Sequence, residues 1–238
     1  MKAFLLAAGL GTRLRPLTDT IPKCLVPIRG KALLGWWIEL FRKHGVDEVL
    51  INLHHFPEQV RSYLEKNSGG IKFTYFFEET LLGSGGTLRV NKDFAAGEDV
   101  ILVFYADNLT NINITSFVDF HIHSGQQFTM GLFRTKNPTA CGIAELNGDN
   151  IIIDFEEKPK FPKSNLANTG IYAAHPLVLD LIPELELTDI GFHLLPKLAG
   201  KMAGMEMKDY LIDVGTHESL AKAEIDWKNY ITKEGALI

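Results

Sequence analysis

Three cations, Arg13, Arg15 and Lys23, fall within one short run, FLLAAGLGTRLRPLTDTIPKCLVPI, which passes from apolar residues 4–8 through Gly9 and Gly11 into charge. A glycine loop can turn successive backbone N–H groups toward an anion, and arginine adds a planar fork of donors that a purely structural turn does not need. The chemistry such a loop serves is phosphate binding. Its spacing narrows the class. Gly9 and Gly11 match the first two glycines of a dinucleotide fingerprint, but Leu14 holds the third place and no P-loop lysine follows. Two carboxylates far apart in the chain, Asp107 after LVFY and Asp213 in YLIDVG, each end an apolar run. Taken singly, such an aspartate is more often a turn or helix cap than a metal ligand. The histidine pairs His54/His55 and His121/His123 have no third ligand at metal spacing and are assigned to surfaces and loops.

Positioning these groups requires elements, and the apolar pattern supplies them. Strand-length runs KAFLLAA, EVLINL, IKFTYFF and DVILVFY alternate with helical periods over residues 31–44 and 58–66. That alternation predicts parallel βαβ units, which gather ligand-binding loops at the carboxyl ends of their strands. In the first helical segment Leu33, Trp36, Trp37, Leu40 and Phe41 make one apolar stripe, so the tryptophans are core residues. Beyond Tyr105 a helix over residues 115–123, strands FTMGLF, GIAEL, NIIIDF and NTGIYAA, and a closing helix over 217–230 are expected. No linker or repeat separates independent domains. The chain reads as one domain over residues 1–238, in two halves, 1–110 and 111–238.

With 238 residues, 46% of them hydrophobic, the chain can bury a substantial core. A balance of 24 basic against 29 acidic residues, net −5, argues against broad capture of nucleic acid and leaves any anion site local. Cys24 and Cys141 are too few for a disulfide framework. No apolar run reaches the length of a membrane span and the N-terminus lacks a secretory cleavage pattern, so a cytoplasmic protein without membrane partners is expected.

The run AAGLGTRLRPLTDTIPKCLVPI resembles the signature of the sugar-1-phosphate nucleotidyltransferases: Gly9, Gly11, Thr12, Arg13, Pro16, Leu17, Thr18, Pro22, Lys23 and Pro27 all fit it. The resemblance continues through LLGSGGTL, with Ser84 for the usual threonine; YADN, with Ala106 for the usual glycine; then CGIAEL, FEEKPK, NTGIY and DVGTHESL. It implies an α/β, Rossmann-like fold with a mostly parallel central sheet flanked by helices, and a β-rich sugar-binding part inserted in the C-terminal half. It implies transfer of a nucleoside monophosphate from a triphosphate to a sugar 1-phosphate, with Mg2+ as cofactor. Arg13 and Lys23 then carry catalysis, Arg13 on the leaving β- and γ-phosphates and Lys23 on the α-phosphate and the incoming phosphate. Leu6, Ala8, Gly9, Gly11, Thr12, Arg13, Glu78, Leu82, Gly83, Ser84 and Asp107 take the nucleotide. Asn108, Gly142, Glu157, Lys158, Asn168 and Thr169 take the sugar phosphate, and Asp107 and Asp213 hold the metal.

Compact guanylyltransferases for mannose or manno-heptose 1-phosphates are the nearest in pattern, with uridylyltransferases close behind. Glu78, five residues before Gly83, stands where thymidine- and uridine-specific relatives carry glutamine. One carboxylate can accept from both N1–H and the 2-amino group of guanine, so GTP is the expected triphosphate. A catalytically silent regulatory subunit is the rival reading, opposed by retention of Arg13, Lys23, Asp107 and Asp213. Oligomeric state is left open, with a homodimer as the expectation.

Overall fold

The structure is a computed structural model that describes residues 1–233 and 235–238. The chain forms β1 (Lys2–Leu6), β2 (Pro27–Ile28), β3 (Lys31–Ala32), α1 (Leu33–Lys43), β4 (Glu48–Leu53), α2 (Pro57–Asn67) and β5 (Lys72–Phe77). There follow α3 (Gly83–Val90), β6 (Ile101–Tyr105), β7 (Asn108–Thr110), α4 (Ile114–Ser124), β8 (Phe128–Arg134), β9 (Gly142–Leu146), β10 (Ile152–Glu157) and β11 (Leu166–Ala174). The last elements are α5 (Ile190–His193), α6 (Leu195–Leu198), β12 (Ala203–Glu206), β13 (Leu211–Asp213) and α7 (His217–Asp226). They assemble into two compact units of interleaved segments: residues 1–81, 104–113 and 209–238 make the first, and 82–103 with 114–208 the second. Residues 104–113 and 209–238 thus return to the first unit from later in the chain.

The first unit is the α/β part, Rossmann-like as expected. β1, β4 and β5 run parallel, with Leu6 opposite Asn52 and Asn52 opposite Phe76. Their carboxyl ends therefore share one edge. At that edge the Ala106 N–H donates to the Leu6 carbonyl at 2.9 Å, bringing the end of β6 beside the end of β1. The stripe on α1 is core: Trp37 stacks against Phe41 and Phe104 at centroid distances of 5.3 and 5.0 Å. α1 begins two residues later than its periodicity suggests because Lys31 and Ala32 pair with Pro27 and Ile28 in a short hairpin. The closing helix ends at Asp226 and tightens into a 3-10 turn, Trp227–Tyr230, which seats the fully buried Trp227 edge-on against Trp36 at 5.6 Å.

The second unit is β-rich. β11 pairs antiparallel with β8 and β9, β9 pairs antiparallel with β10, and β12 runs parallel to β8. His121 corrects the surface assignment: it is only 4% exposed, and its Nδ1 lies 2.8 Å from Thr129 Oγ1, with burial holding its imidazole below the usual range. The glycine-rich LLGSGGTL runs into the start of α3 at Gly83. Glycine is required there by close approach: a Cβ on Gly83 would sit 2.5 Å from the Thr188 carbonyl oxygen, at φ 77°. Gly85 and Gly86 then donate their N–H groups to that same carbonyl at 2.8 and 3.1 Å. Gly83→Ala should therefore cost on the order of 1–3 kcal/mol of stability, read as a lowered denaturation midpoint. Stability equal to wild type would mean that the 188 segment yields freely.

Candidate active site

Gly11 adopts φ 64°, and a Cβ there would meet Thr18 Cγ2 at 3.0 Å and Lys23 Cβ at 3.2 Å. Its lack of a side chain lets the loop fold back onto the segment that carries the lysine, and Thr18 Oγ1 donates to the Gly11 carbonyl at 2.8 Å. Gly9 is different: a Cβ would find nothing within 4 Å, so packing does not demand glycine. Gly9 borders a cavity lined also by Leu6, Ala7, Lys23, Cys24, Ala106 and Asp107. Thr12 and Arg13 lie on the 3-10 turn Thr12–Leu14 just beyond. Ala8 is buried at the end of the apolar run.

Lys23 arrives on a 3-10 turn, Lys23–Leu25. Its Nζ donates to Asp107 Oδ2 at 2.6 Å and to Asp213 Oδ1 at 3.2 Å, with only 9% of its side chain exposed. Two carboxylates 106 positions apart in the chain thus share one ammonium. The β7–β13 pair explains their meeting: Asp213 is opposite Asn108 in register, and the Val214 N–H donates to the Asp107 carbonyl at 2.8 Å. Burial raises the Asp213 carboxyl above its usual range, Asp107 adds to the rise, and Lys23 and Arg13 oppose it. With 55% of that side chain exposed, solvent screens much of the push. At Gly215 a Cβ would lie 2.9 Å from Asp213 Oδ1 and 3.0 Å from Arg13 Nη2, so the glycine leaves room for the acid and the guanidinium to sit together. Cys24 is no nucleophile: burial pushes its thiol up to about 12.

Glu78 is 2% exposed, and its Oε1 accepts from Asn52 Nδ2 at 2.8 Å. It is therefore not a solvated residue following a strand. Asn108, grouped by resemblance with the sugar-phosphate residues, stands in the first unit beside Asp107.

The second unit holds the remaining candidates. Leu82 precedes α3 and accepts from the Thr188 N–H at 2.9 Å, next to Gly83. Ser84 Oγ donates to Asp189 Oδ2 and accepts from the Ile190 N–H, each at 2.9 Å. Glu157 is wedged between two glycines: a Cβ on Gly142 would collide with its Oε2, and one on Gly191 would lie 2.5 Å from that atom. Burial first, then the nearby Asp189, raises the Glu157 carboxyl, while Lys158 opposes the rise. Lys158 itself adopts φ 51°, a left-handed conformation costly for a side-chain-bearing residue. Its N–H donates to the Cys141 carbonyl at 3.1 Å. The Asn168 side chain binds the Tyr172 hydroxyl at 2.7 Å and the Gly170 N–H at 2.8 Å. Thr169 Oγ1 donates to the Gly131 carbonyl at 2.8 Å and accepts from the Ile171 N–H, so the hydroxyl is engaged within the fold.

Asn52, Asp189 and Gly215 were not singled out from sequence. Gly215 had a signal, standing two residues after Asp213 in DVG; Asn52 and Asp189 sit in ordinary strand and cap contexts.

The nucleotidyl transferase family pattern matches residues 2–229. A UTP–glucose-1-phosphate uridylyltransferase of Synechocystis is 35% identical over 83% of this chain and 55% of its own length. The mannose-1-phosphate guanylyltransferase catalytic subunit beta of Dictyostelium discoideum is 31% identical over 90% of this chain and 61% of its own. The chain thus spans a little over half the length of these curated relatives. A solved structure described as that of a glucose-1-phosphate thymidylyltransferase from Bacillus anthracis, in complex with a sucrose, superposes with a TM-score of 0.83 at 27% identity, covering 94% of both chains. A family match over nearly every residue, with the loop, the lysine and both aspartates inside it, shows that the chain belongs to the nucleotidyl transferase family.

Proposed function

We propose that the protein transfers a nucleoside monophosphate from a nucleoside triphosphate to a sugar 1-phosphate, releasing pyrophosphate. The observation that carries this reading is Lys23 buried between Asp107 and Asp213 beside the cavity bordered by Gly9. An oxygen of the sugar 1-phosphate attacks the α-phosphorus in line; the new P–O bond forms as the α–β bridging bond breaks, and its electron pair leaves on pyrophosphate. A phosphate monoester with a second pKa near 6 is largely a dianion at neutral pH, so no general base is needed. What the protein must do is bring two anions together and offset their charge. Lys23 and Arg13 supply positive charge, and Glu157, Lys158 and Asn168 are the groups proposed to meet the sugar phosphate.

The donor set fits a hard divalent cation. Asp107 and Asp213 already share one cation in the Lys23 ammonium, and Gly215 keeps the space beside Asp213 clear. Among the described residues no group of three or more acidic, histidine or cysteine side chains could hold a metal. Mg2+ suits such a site because it takes one or two carboxylates and completes its shell with phosphate oxygens and water. Bound there, it would act as a Lewis acid, neutralising phosphate charge.

GTP is the proposed triphosphate, supported by the buried carboxylate of Glu78; the uridylyltransferase of Synechocystis favours UTP as the alternative. Because Glu78 is engaged by Asn52, reading a base requires that its carboxylate serve both partners. Pyrophosphate release across GTP, UTP and dTTP with a panel of sugar 1-phosphates tests the activity, and absence of release with every pair would overturn it. Glu78→Gln should cut GTP use and narrow the gap to the pyrimidines. An unchanged ranking would remove Glu78 from base selection.

A further inference from the structure

Where β1 leaves the sheet to become the glycine loop, its next N–H, that of Ala7, donates to a side chain: Asn52 Oδ1 accepts it at 2.6 Å. The other end of the same amide, Nδ2, donates to Glu78 Oε1 at 2.8 Å. Asn52 is 4% exposed and Glu78 2%, so the amide and the carboxylate lie away from bulk water. Glu78 is in turn fixed by its backbone, whose N–H donates to the Leu53 carbonyl at 2.8 Å and whose carbonyl lies 2.8 Å from His54 Nδ1. An amide is the side chain that can accept at one end and donate at the other. Aspartate at 52 would accept from Ala7 but turn a second acceptor onto Glu78. Two facing acceptors in a buried site are costly.

We propose that Asn52 is a positioning residue for nucleotide binding: it anchors the first turn of the glycine loop to the buried Glu78 carboxylate and so sets where residues 7–11 meet the triphosphate. This rests on the nucleotidyltransferase reading, but not on Glu78 reading the base. The loop borders the cavity through Ala7 and Gly9, so a shift at Ala7 is felt where phosphate would lie.

The test compares wild type with Asn52→Asp, Asn52→Ala, Glu78→Gln and the double variant Asn52→Asp/Glu78→Gln, measuring KM for triphosphate and for sugar 1-phosphate, with the thermal midpoint of each. Asn52→Asp and Asn52→Ala should raise the triphosphate KM by about tenfold, as losing a buried hydrogen bond does, and move the sugar-phosphate KM by less than about twofold. Glu78→Gln alone keeps the acceptor for Asn52 and serves as the baseline, whatever it does to base ranking. In the double variant the glutamine amide can donate to the new carboxylate, so the relay is rebuilt with reversed polarity and the triphosphate KM should come to within about threefold of that of Glu78→Gln alone. A triphosphate KM within twofold of wild type in folded Asn52→Ala overturns the proposal. So does a folded double variant whose triphosphate KM exceeds that of Glu78→Gln alone by as large a factor as Asn52→Asp exceeds wild type. A wild-type protein that binds no triphosphate overturns the nucleotidyltransferase reading first, and this inference with it.

Discussion

Turnover at saturating substrates should fall by at least about a hundredfold in Lys23→Ala, the order of loss seen when one donor to a developing charge is removed. The ammonium is held by two carboxylates at 2.6 and 3.2 Å, and Gly11 lets the loop close over its Cβ. It is thus preorganised before any substrate arrives, and alanine removes the charge that Asp107 and Asp213 share. From sequence, Lys23 is a charged loop residue whose loss would leave the core untouched. The structure makes it a buried group, 7% exposed, so its removal does have a structural cost. That cost is limited, on the order of 1–3 kcal/mol, because the two carboxylate side chains are 34% and 55% exposed and can hydrate. Lys23→Ala should therefore fold with a somewhat lowered thermal midpoint while turnover collapses; Arg13→Ala should lose turnover to a similar degree. Pyrophosphate release measured on folded variants decides it, and near wild-type turnover in Lys23→Ala would remove that residue from the mechanism.

Activity should vanish in excess chelator and return with Mg2+. Asp107→Asn and Asp213→Asn should each raise the Mg2+ concentration for half-maximal rate by at least about tenfold, since each replaces an anionic oxygen by a neutral one in a site with few donors. The effects should differ in size. Asp107 makes the shorter contact to Lys23, 2.6 Å against 3.2 Å, and is the less exposed of the two, so its replacement also loosens the lysine more. A Mg2+ titration at saturating substrates reads the metal requirement, and titrating the triphosphate separately reads the lysine. Full activity under chelation would sink the metal assignment outright. An unchanged Mg2+ requirement in one variant alone would restrict direct coordination to the other residue.

Local pattern determined much of this protein. The parallel strands, the core stripe on α1 and the glycine loop with its arginine were legible because each depends on periodicity or on a short spaced motif. Tertiary structure decided what distance in sequence conceals. Nothing local says that Gly83 and Gly85 make room for the Thr188 carbonyl, that Gly142 and Gly191 both close on Glu157, or that the Thr169 hydroxyl is spent inside the sheet. His121 reads as a surface residue until β8 brings Thr129 to its ring. Asn52 is an ordinary polar residue in a strand until Ala7 and Glu78 arrive at its two ends from segments 45 and 26 positions away. A motif records the groups that a ligand needs at fixed spacing along one segment. The partners of a buried amide or carboxyl are set by which segments the sheet places side by side, and that information belongs to the register of the strands.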